Sequence, residues 1–478
     1  MPILRTLLFA VALMPVAASA VDGALDPGFA NGNGVIFPTY AYIGNPVVDD
    51  SARGIAIGAD QRITVVGDFL HDAAGSDRDC GLLRLLPDGN YDTSFLQPHG
   101  YGFYTFNRGG AETDYCHALA LATDHSGVFV GSATLNGAGQ RTGLIQRFTP
   151  TGHPDHSFFG DGLFESHIDG LPSMGAEDAE FRQVFIDAVG RMVVSGDASV
   201  LTFDGVATQG VVLRFLANGT LDTSFNGSGV AWLPNPPDGS VLHVTASIEA
   251  ADGGYWFATY RDIPPATHQG KLFRVTAQGA FDPGVGGANG LVVTDCPIVQ
   301  SLARDAAGRL LLGCLPIGSA RLPGVLRLVP GPGGWSPDPS FSADGLAEIR
   351  VSASDAPELW PAVTRVAAIR VDATGRMLVA GAYDPGRILD NPSDLFVVRL
   401  MPDGSKDADF GNAGVSRFHF GAGADRDYEA ATAMALDGAG RPVVIGQRYS
   451  TESGASSYVI ARLQQQPDLL FRNSFENL

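Results

Sequence analysis

A short turn motif recurs seven times along this chain and constrains its fold more than any other feature. The motif has aspartate in its second position and, in six of the seven copies, phenylalanine in its fifth. Successive aspartates are 56 to 69 residues apart, a spacing that is typical of one propeller blade or one solenoid unit. The spacing therefore predicts seven similar units instead of one large irregular core. The seven copies occupy residues 25–29, 91–95, 154–158, 221–225, 281–285, 337–341 and 406–410.

Each repeat contains four short apolar segments, which we label a to d in chain order. Segment a follows the motif, as at residues 229–232. Segments b, c and d are exemplified by residues 367–371, 377–380 and 396–400, and a tight glycine-containing turn at 372–376 separates b from c. Short apolar runs bounded by turn residues are typical of antiparallel strands. The pattern therefore predicts one small four-stranded sheet for each repeat.

Seven small sheets can protect their strand edges by arrangement in a ring. The 61 glycines and 30 prolines suit many short strands, and no long helical periodicity competes with this interpretation. We therefore predict an all-β fold, a seven-bladed β-propeller of four-stranded antiparallel blades that spans residues 21–466. We also predict that pairing of the N- and C-terminal strands closes the ring.

Charge pairing between the repeats supports this closure. Each d segment carries an arginine, and in most repeats the motif aspartate follows about eight residues later, so a charge-assisted pair can form. Arg462 has no motif aspartate after it and Asp26 has no such arginine before it, so a closed ring would pair these two and would add a strand near 35–38 to the last blade. Seven identical arginines favour a structural role over a ligand-binding one. The other predicted pairs are Arg84–Asp92, Arg147–Asp155, Arg214–Asp222, Arg274–Asp282, Arg327–Asp338 and Arg399–Asp407.

The end of each repeat resembles the delta-60 repeat family through the string Arg-Leu-x-x-x-Gly-x-Leu-Asp-Thr-Ser-Phe. Residues 214–225 match it best, with Phe215 in place of leucine. Two repeats depart from the string, because Val285 replaces the phenylalanine and residues 330–339 form an enlarged turn. The resemblance implies a propeller-like fold found in bacterial secreted or surface proteins, and it implies no fixed activity.

The variable loops indicate which side of the ring binds a partner. In an antiparallel blade, the a–b and c–d connections emerge on one face, and here they vary in length and content. Variable loops on a rigid scaffold commonly carry binding residues, so we expect a protein, a glycan or a cationic ligand on this face. The candidate binding residues are Asp79, Asp114, Tyr115, Trp360, Asp427, Tyr428 and Tyr449.

The four cysteines lie at the roots of the same loops. Four cysteines allow three pairings. The b–c hairpin of the fifth repeat brings Cys296 and Cys314 to one end, so we predict the disulfides Cys296–Cys314 and Cys80–Cys116. Zinc binding is the alternative, but the chain has no Cys-x-x-Cys pair. We assign no metal ligand and no cofactor, although acidic loops could hold Ca²⁺.

The ends and the charge of the chain indicate where it works. Residues 1–20 resemble a signal peptide, with Arg5, an apolar run and a small-residue site that predicts cleavage after Ala20. Residues 467–478 form a C-terminal tail. A formal net charge of −20 disfavours nucleic acid as a partner. We expect a monomer without a transmembrane segment that is exported to the periplasm, the medium or the cell surface.

The sequence contains no recognisable catalytic motif, and we assign no catalytic residue. We therefore expect a secreted or cell-surface binding scaffold. The alternative is a secreted propeller enzyme, a hydrolase or lyase, with a carboxylate or calcium site near the central channel.

Overall fold

The structure is a computed structural model, and it describes most of the predicted propeller. The predicted signal peptide and C-terminal tail lie outside the described residues. The described ranges are 21–38, 50–70, 78–106, 113–135, 140–166, 176–202, 205–234, 242–263, 267–285, 291–292, 296–315, 322–331, 334–352, 363–384, 393–420, 428–450 and 455–465.

These residues form seven antiparallel sheets arranged as the blades of a β-propeller, which confirms the predicted fold. Blades 1 to 3 consist of β2 (Ser51–Ile57), β3 (Ile63–Leu70), β4 (Arg78–Leu85), β5 (Tyr101–Tyr104), β6 (Asp114–Leu121), β7 (Gly127–Leu135), β8 (Gln140–Phe148), β9 (Leu163–Glu165), β10 (Ala176–Ile186), β11 (Met192–Thr202), β12 (Gly205–Phe215) and β13 (Val230–Trp232). Blades 4 and 5 consist of β14 (Leu242–Glu249), β15 (Tyr255–Ile263), β16 (Thr267–Val275), β17 (Leu291–Val292), β18 (Ile298–Arg304), β19 (Leu310–Leu315), β20 (Gly324–Gly331), β21 (Gly334–Pro337) and β22 (Leu346–Glu348). Blades 6 and 7 consist of β23 (Val363–Val371), β24 (Met377–Tyr383), β25 (Asp394–Leu400), β26 (Val415–Phe418), β27 (Tyr428–Leu436), β28 (Pro442–Ser450), β29 (Ala455–Arg462) and β1 (Val35–Ile36).

The blades are offset from the sequence repeats by one strand. Segment a pairs with the d strand that precedes it in the chain, so β13 lies beside β12 with Val211 opposite Trp232. The order within a blade is therefore b, c, d, a, and the seven b strands contact one another around the channel. As a result, each a–b connection passes from the outer edge of one blade to the inner strand of the next.

The chain ends close the ring inside blade 7. Strand β1 pairs with β29, and Val35 lies opposite Ala461. The backbone N–H of Gly23 donates to the Gln464 carbonyl at 2.9 Å, so both ends contribute to one turn. The inner strands β2 and β27 also contact each other. The predicted closure is therefore confirmed.

The enlarged turn of the fifth repeat is a hairpin extension. Strand β20 continues to Gly331 and returns as β21, while β22 takes the outer position of the blade. The extension places Trp335 against Trp256 of blade 4, with ring centroids 4.9 Å apart in an edge-to-face arrangement. The extra residues therefore add apolar contact between two blades.

The described core is divided among the seams between blades. Seven clusters of buried apolar side chains each draw on two adjacent blades. Middle strands such as β24 are buried along their whole length because both faces of each blade pack against a neighbour. This explains why segments c and d read as continuous apolar runs. The packing between blades does not involve the channel end of each inner strand, so that end can carry polar residues.

Candidate ligand site at the channel mouth

Every inner strand has a β-bulge at the same level of the channel. Each bulge adds one residue between two partners of the neighbouring c strand. Bulges redirect a side chain and are frequent beside functional sites. The corresponding inserted residues are Arg53, His117, Arg182, Thr245, Gln300, Ala367 and Thr432.

All seven inserted residues line one cavity of about 510 Å³ at the channel mouth. The cavity lies near the first residues of the b strands, so it opens on the face that carries the a–b and c–d connections. Its volume is within the usual range for a small-molecule site. The other lining residues are Gln183, His243, Val244, Tyr260, His268, Ile298 and Arg365.

The seven inserted residues differ in whether their side chains can be ionised. Blades 1 to 3 contribute Arg53, His117 and Arg182, whereas blades 4 to 7 contribute residues without an ionisable side chain. The bulge residues of blades 1 to 3 therefore form a basic side of the cavity, and Arg365 of blade 6 adds a further cation to the lining. This contrasts with the formal net charge of −20 for the whole chain.

Arg182 is fixed by two carboxylates behind the cavity wall. Its Nε lies 3.0 Å from Asp197 Oδ2, and its Nη2 lies 2.8 Å from Glu180 Oε2. His117 Nε2 lies 2.7 Å from the other Glu180 oxygen. Burial alone raises the pKa of Glu180, but the His117 hydrogen bond and the charges of Arg182, His117 and Arg141 outweigh it and lower the pKa to about 2. Glu180 is therefore ionised at neutral pH and holds the basic side in place.

Arg53 is held in a similar way. Its Nε lies 3.0 Å from Asp68 Oδ2, and Asp68 is fully buried. The second Asp68 oxygen accepts the backbone N–H of Cys116 in the next inner strand at 2.8 Å. The same carboxylate thus orients a cavity arginine and joins two adjacent blades.

Arg365 differs from these two arginines. It lines the same cavity, but no carboxylate pairs with it among the described residues. Burial lowers its pKa, Tyr428 partly offsets this, and the positive charge of Arg53 lowers it further. Two guanidinium groups therefore act on each other at one cavity, an arrangement that an anion between them would relieve.

The predicted binding residues are distributed differently from our expectation. Asp79 and Asp114 are fully buried at the seam of blades 1 and 2, so they do not form a surface. Tyr115 is half-buried beneath Arg141, which lies 4.8 Å from its ring centroid. Tyr428 and Tyr449 are cross-strand neighbours and are 41% and 39% exposed. Trp360 and Asp427 lie outside the described residues.

Sequence reasoning favoured the face on which the cavity opens, but it did not single out the cavity residues. The inserted residues occupy positions where the repeats differ from one another, and they lie inside the b strands rather than in the loops. A residue-by-residue alignment of the seven b segments could have revealed this variable position. The bulge that turns it toward the channel depends on pairing with the c strand.

The structure brings together all seven predicted arginine–aspartate pairs on the opposite face. In six of them arginine Nε lies 2.7 to 2.9 Å from aspartate Oδ2. In the seventh, Arg274 Nη1 lies 2.6 Å from Asp282. The Arg84 guanidinium also covers the motif ring Phe95 at 4.2 Å and donates to the Pro150 carbonyl of the next blade. The Arg84–Asp92 pair therefore also joins its blade to the next one.

The pairs predict how stability depends on pH. Burial raises the pKa values of Asp92, Asp155, Asp222 and Asp338, but hydrogen bonds from the serine two residues later and the paired arginine outweigh it and lower them. A lowered folded-state pKa adds stability above the unfolded pKa, and this stability is lost as the pH falls through the folded value. We expect calorimetry to give a nearly constant melting temperature from pH 8 to 5 and a steep fall below about pH 4. A large decrease between pH 7 and 5 would contradict this explanation.

Both predicted disulfides are present. Cys80–Cys116 joins strand β4 of blade 1 to β6 of blade 2, and Cys296–Cys314 lies within blade 5. Disulfides persist in oxidising compartments, so they are consistent with an exported protein. Among the described residues, no helix has the length and apolar character needed to cross a membrane.

Comparison with known families gives one match. The domain of unknown function DUF5122, described as a β-propeller, matches residues 58–95, 190–225 and 373–410. Each matched segment ends at a motif phenylalanine, namely Phe95, Phe225 or Phe410. A search of curated proteins finds no match.

Several solved structures are similar to this chain at low sequence identity. A polysaccharide lyase of family PL25, an ulvan lyase bound to -[GlcA(1-4)Rha3S]-, has 9% identity and a TM-score of 0.49, over 89% of this chain and 96% of the lyase. A Hadza microbial sialidase has 11% identity and a TM-score of 0.41, over 81% of this chain and 74% of the sialidase. A thermostable family-43 glycoside hydrolase has 12% identity and a TM-score of 0.34, over 67% and 99% of the two chains. Such distant similarity carries no information about activity here.

The delta-60 resemblance stays a prediction, because the matched family has a different name. The three matched segments lie in three of the seven blades and agree with a β-propeller built from repeats.

Proposed function

We propose that this protein is an exported binding protein that receives an anionic saccharide in the channel mouth. The observation that carries the proposal is the convergence of Arg365 and Arg53 on a cavity lined by one residue from each of seven bulges. Arginine recognises carboxylate and sulfate groups through directed pairs of hydrogen bonds. Arg365 supplies a cation without a described carboxylate partner, so it is the residue most available to a ligand.

The rest of the lining suits a sugar. Gln183, Gln300 and Thr432 offer amide and hydroxyl groups that can bond to sugar hydroxyls. Tyr260 adds an aromatic surface to the same cavity. The volume of about 510 Å³ fits one or two sugar rings. The acidic surface of the protein disfavours long polyanions lying across it, which favours a short ligand or a chain end.

A second candidate function is catalysis on the same ligand. The His243 and His268 rings lie 5.1 and 6.0 Å from the Tyr260 ring, so three groups able to transfer protons share the cavity. The cavity lining drawn from the described residues contains no carboxylate. This arrangement supports a lyase better than a hydrolase that uses paired carboxylates.

The binding proposal predicts a specific loss in one arginine variant. We expect calorimetric titration with uronic-acid and sulfated disaccharides to detect binding that neutral disaccharides do not show. Arg365→Gln should weaken that binding about 10- to 100-fold, because it removes a charge-assisted hydrogen bond of about 1.5–3 kcal/mol. Arg304→Gln is the matched control, since Arg304 is exposed at the far end of inner strand β18. It should leave binding unchanged.

Four results would decide between these alternatives. Equal affinity for neutral and anionic disaccharides, or equal loss in both arginine variants, would contradict the anion site. Mass spectrometry of the same mixtures after long incubation should recover intact ligand if the protein only binds it. Shortened or unsaturated products that disappear in Tyr260→Phe would support the enzyme instead.

A further inference from the structure

A second cluster of polar side chains lies outside the cavity, at the seam of blades 6 and 7. Asp394 begins strand β25, His419 follows β26, and Glu429 is the second residue of β27. Asp394 is 3% exposed and Glu429 is fully buried. Together they offer two carboxylate oxygens and one imidazole nitrogen within 4.8 Å of one another.

The three ligand atoms lie close together. His419 Nδ1 lies 3.1 Å from Asp394 Oδ1 and 3.0 Å from Glu429 Oε2. The outer oxygens have other partners, because Arg417 binds Asp394 Oδ2 and the Phe420 backbone N–H donates to Glu429 Oε1 at 3.0 Å. These outer contacts orient both carboxylates so that their inner oxygens meet the histidine.

Hydrogen bonds within the cluster do not provide a donor for both inner carboxylate oxygens. His419 Nδ1 carries at most one hydrogen, and it lies beside two acceptors. Among the described residues, no group donates a hydrogen bond with good geometry to the buried Oε2 of Glu429. A buried carboxylate oxygen without a donor is costly, and a bound cation would remove that cost.

The seam of blades 1 and 2 provides an internal comparison. Asp79 and Asp114 occupy the positions of Asp394 and Glu429 there, and Asp114 likewise accepts a backbone N–H, from Phe106 at 3.0 Å. Thr105 occupies the position of His419. The two acids thus recur as part of the fold, while the histidine is an addition that completes a set of metal ligands.

We propose that Asp394, His419 and Glu429 bind a divalent transition-metal ion, with Zn²⁺ as the best fit. One imidazole and two carboxylates suit Zn²⁺, whereas Ca²⁺ takes oxygen ligands. The ion joins the outer edge of blade 6 to the inner strand of blade 7. It therefore stabilises that seam on the face that carries the cavity, and it requires no sugar binding.

Metal analysis of the full-length mature chain tests this site directly. After chelator treatment and dialysis against Zn²⁺, we expect one ion per chain, and Co²⁺ in its place should give a visible absorption spectrum. His419→Ala and Glu429→Gln should each weaken Zn²⁺ binding by more than about 100-fold, because loss of an outer partner alone costs about 10- to 100-fold. His156→Ala is the control, since His156 is exposed in a turn on the opposite face.

The alternative is an internal ion pair only, in which protonated His419 bridges the two carboxylates. In that case the chain binds no stoichiometric Zn²⁺, or His419→Ala and His156→Ala bind it equally, and the proposal is overturned. Melting temperatures of the metal-free variants confirm that each one is folded. Zn²⁺ should raise the melting temperature of the parent chain and of His156→Ala, and not that of His419→Ala.

Discussion

Replacement of Asp26 by alanine is expected to lower the free energy of unfolding by about 3–5 kcal/mol. Asp26 Oδ2 lies 2.7 Å from Arg462 Nε and 3.0 Å from Arg441 Nη1. The Arg462 side chain is only 4% exposed, so the substitution removes the nearest carboxylate from a buried guanidinium and leaves only Asp437 Oδ2, at 3.9 Å. The pair also joins the two chain ends, and its loss weakens the one blade that is not built from a continuous segment. Urea denaturation followed by fluorescence measures the change.

A matched variant separates burial from mere loss of an ion pair. Asp155→Ala removes the equivalent partner of Arg147, whose side chain is 22% exposed. We expect a cost of about 1 kcal/mol there, because solvent can replace the lost contact. The double variant Asp26→Leu/Arg462→Met should recover part of the stability, since apolar residues can replace a buried pair. Equal losses for Asp26→Ala and Asp155→Ala would show that burial of the arginine does not set the cost.

Removal of the disulfide Cys80–Cys116 is expected to produce the second large effect. Replacement of both cysteines by alanine should cost about 4 kcal/mol, because the bond constrains an unfolded loop that spans 36 residues. Both cysteines are fully buried. They join β4, the third strand of blade 1, to β6, the inner strand of blade 2. The urea midpoint under oxidising conditions measures the loss, and a reductant should lower the midpoint of the parent chain further, because it also breaks Cys296–Cys314.

The second disulfide serves as the control for this prediction. Cys296–Cys314 spans 18 residues within blade 5, so its removal should cost about 3 kcal/mol. Hydrogen exchange should distinguish the two variants. Loss of Cys80–Cys116 should increase exchange at the seam of blades 1 and 2, whereas loss of Cys296–Cys314 should act inside blade 5. Increased exchange at the same seam in both variants would contradict a role for Cys80–Cys116 in joining blades.

The repeat made much of the fold predictable. Seven motif copies indicated seven blades, and the unmatched ends Arg462 and Asp26 indicated the site of closure. Both features depend on local turn chemistry and on counting, which a sequence displays directly. The cysteine pairing was also predictable, because hairpin geometry limits which strand ends can meet.

The candidate sites were less accessible to sequence reasoning. Acidic and aromatic loop residues are conspicuous in the sequence, yet Asp79 and Asp114 are buried in the structure. Asp79 and Asp114 lie at the start of β4 and β6, where blades 1 and 2 pack together. Whether such a strand end is buried depends on the neighbouring blade. A polar residue next to a variable loop is therefore a weak indicator of a binding surface.

The sequence by itself determined the number of blades, the ring closure and the arginine–aspartate pairs, because each follows from a motif that recurs seven times along the chain. Only the tertiary structure brought Arg53 and Arg365 to one cavity and assembled Asp394, His419 and Glu429 at one seam. These groups come from different repeats and share no spacing along the chain. Their proximity arises from bulged strand pairing and from the packing of one blade against the next, which no local pattern encodes.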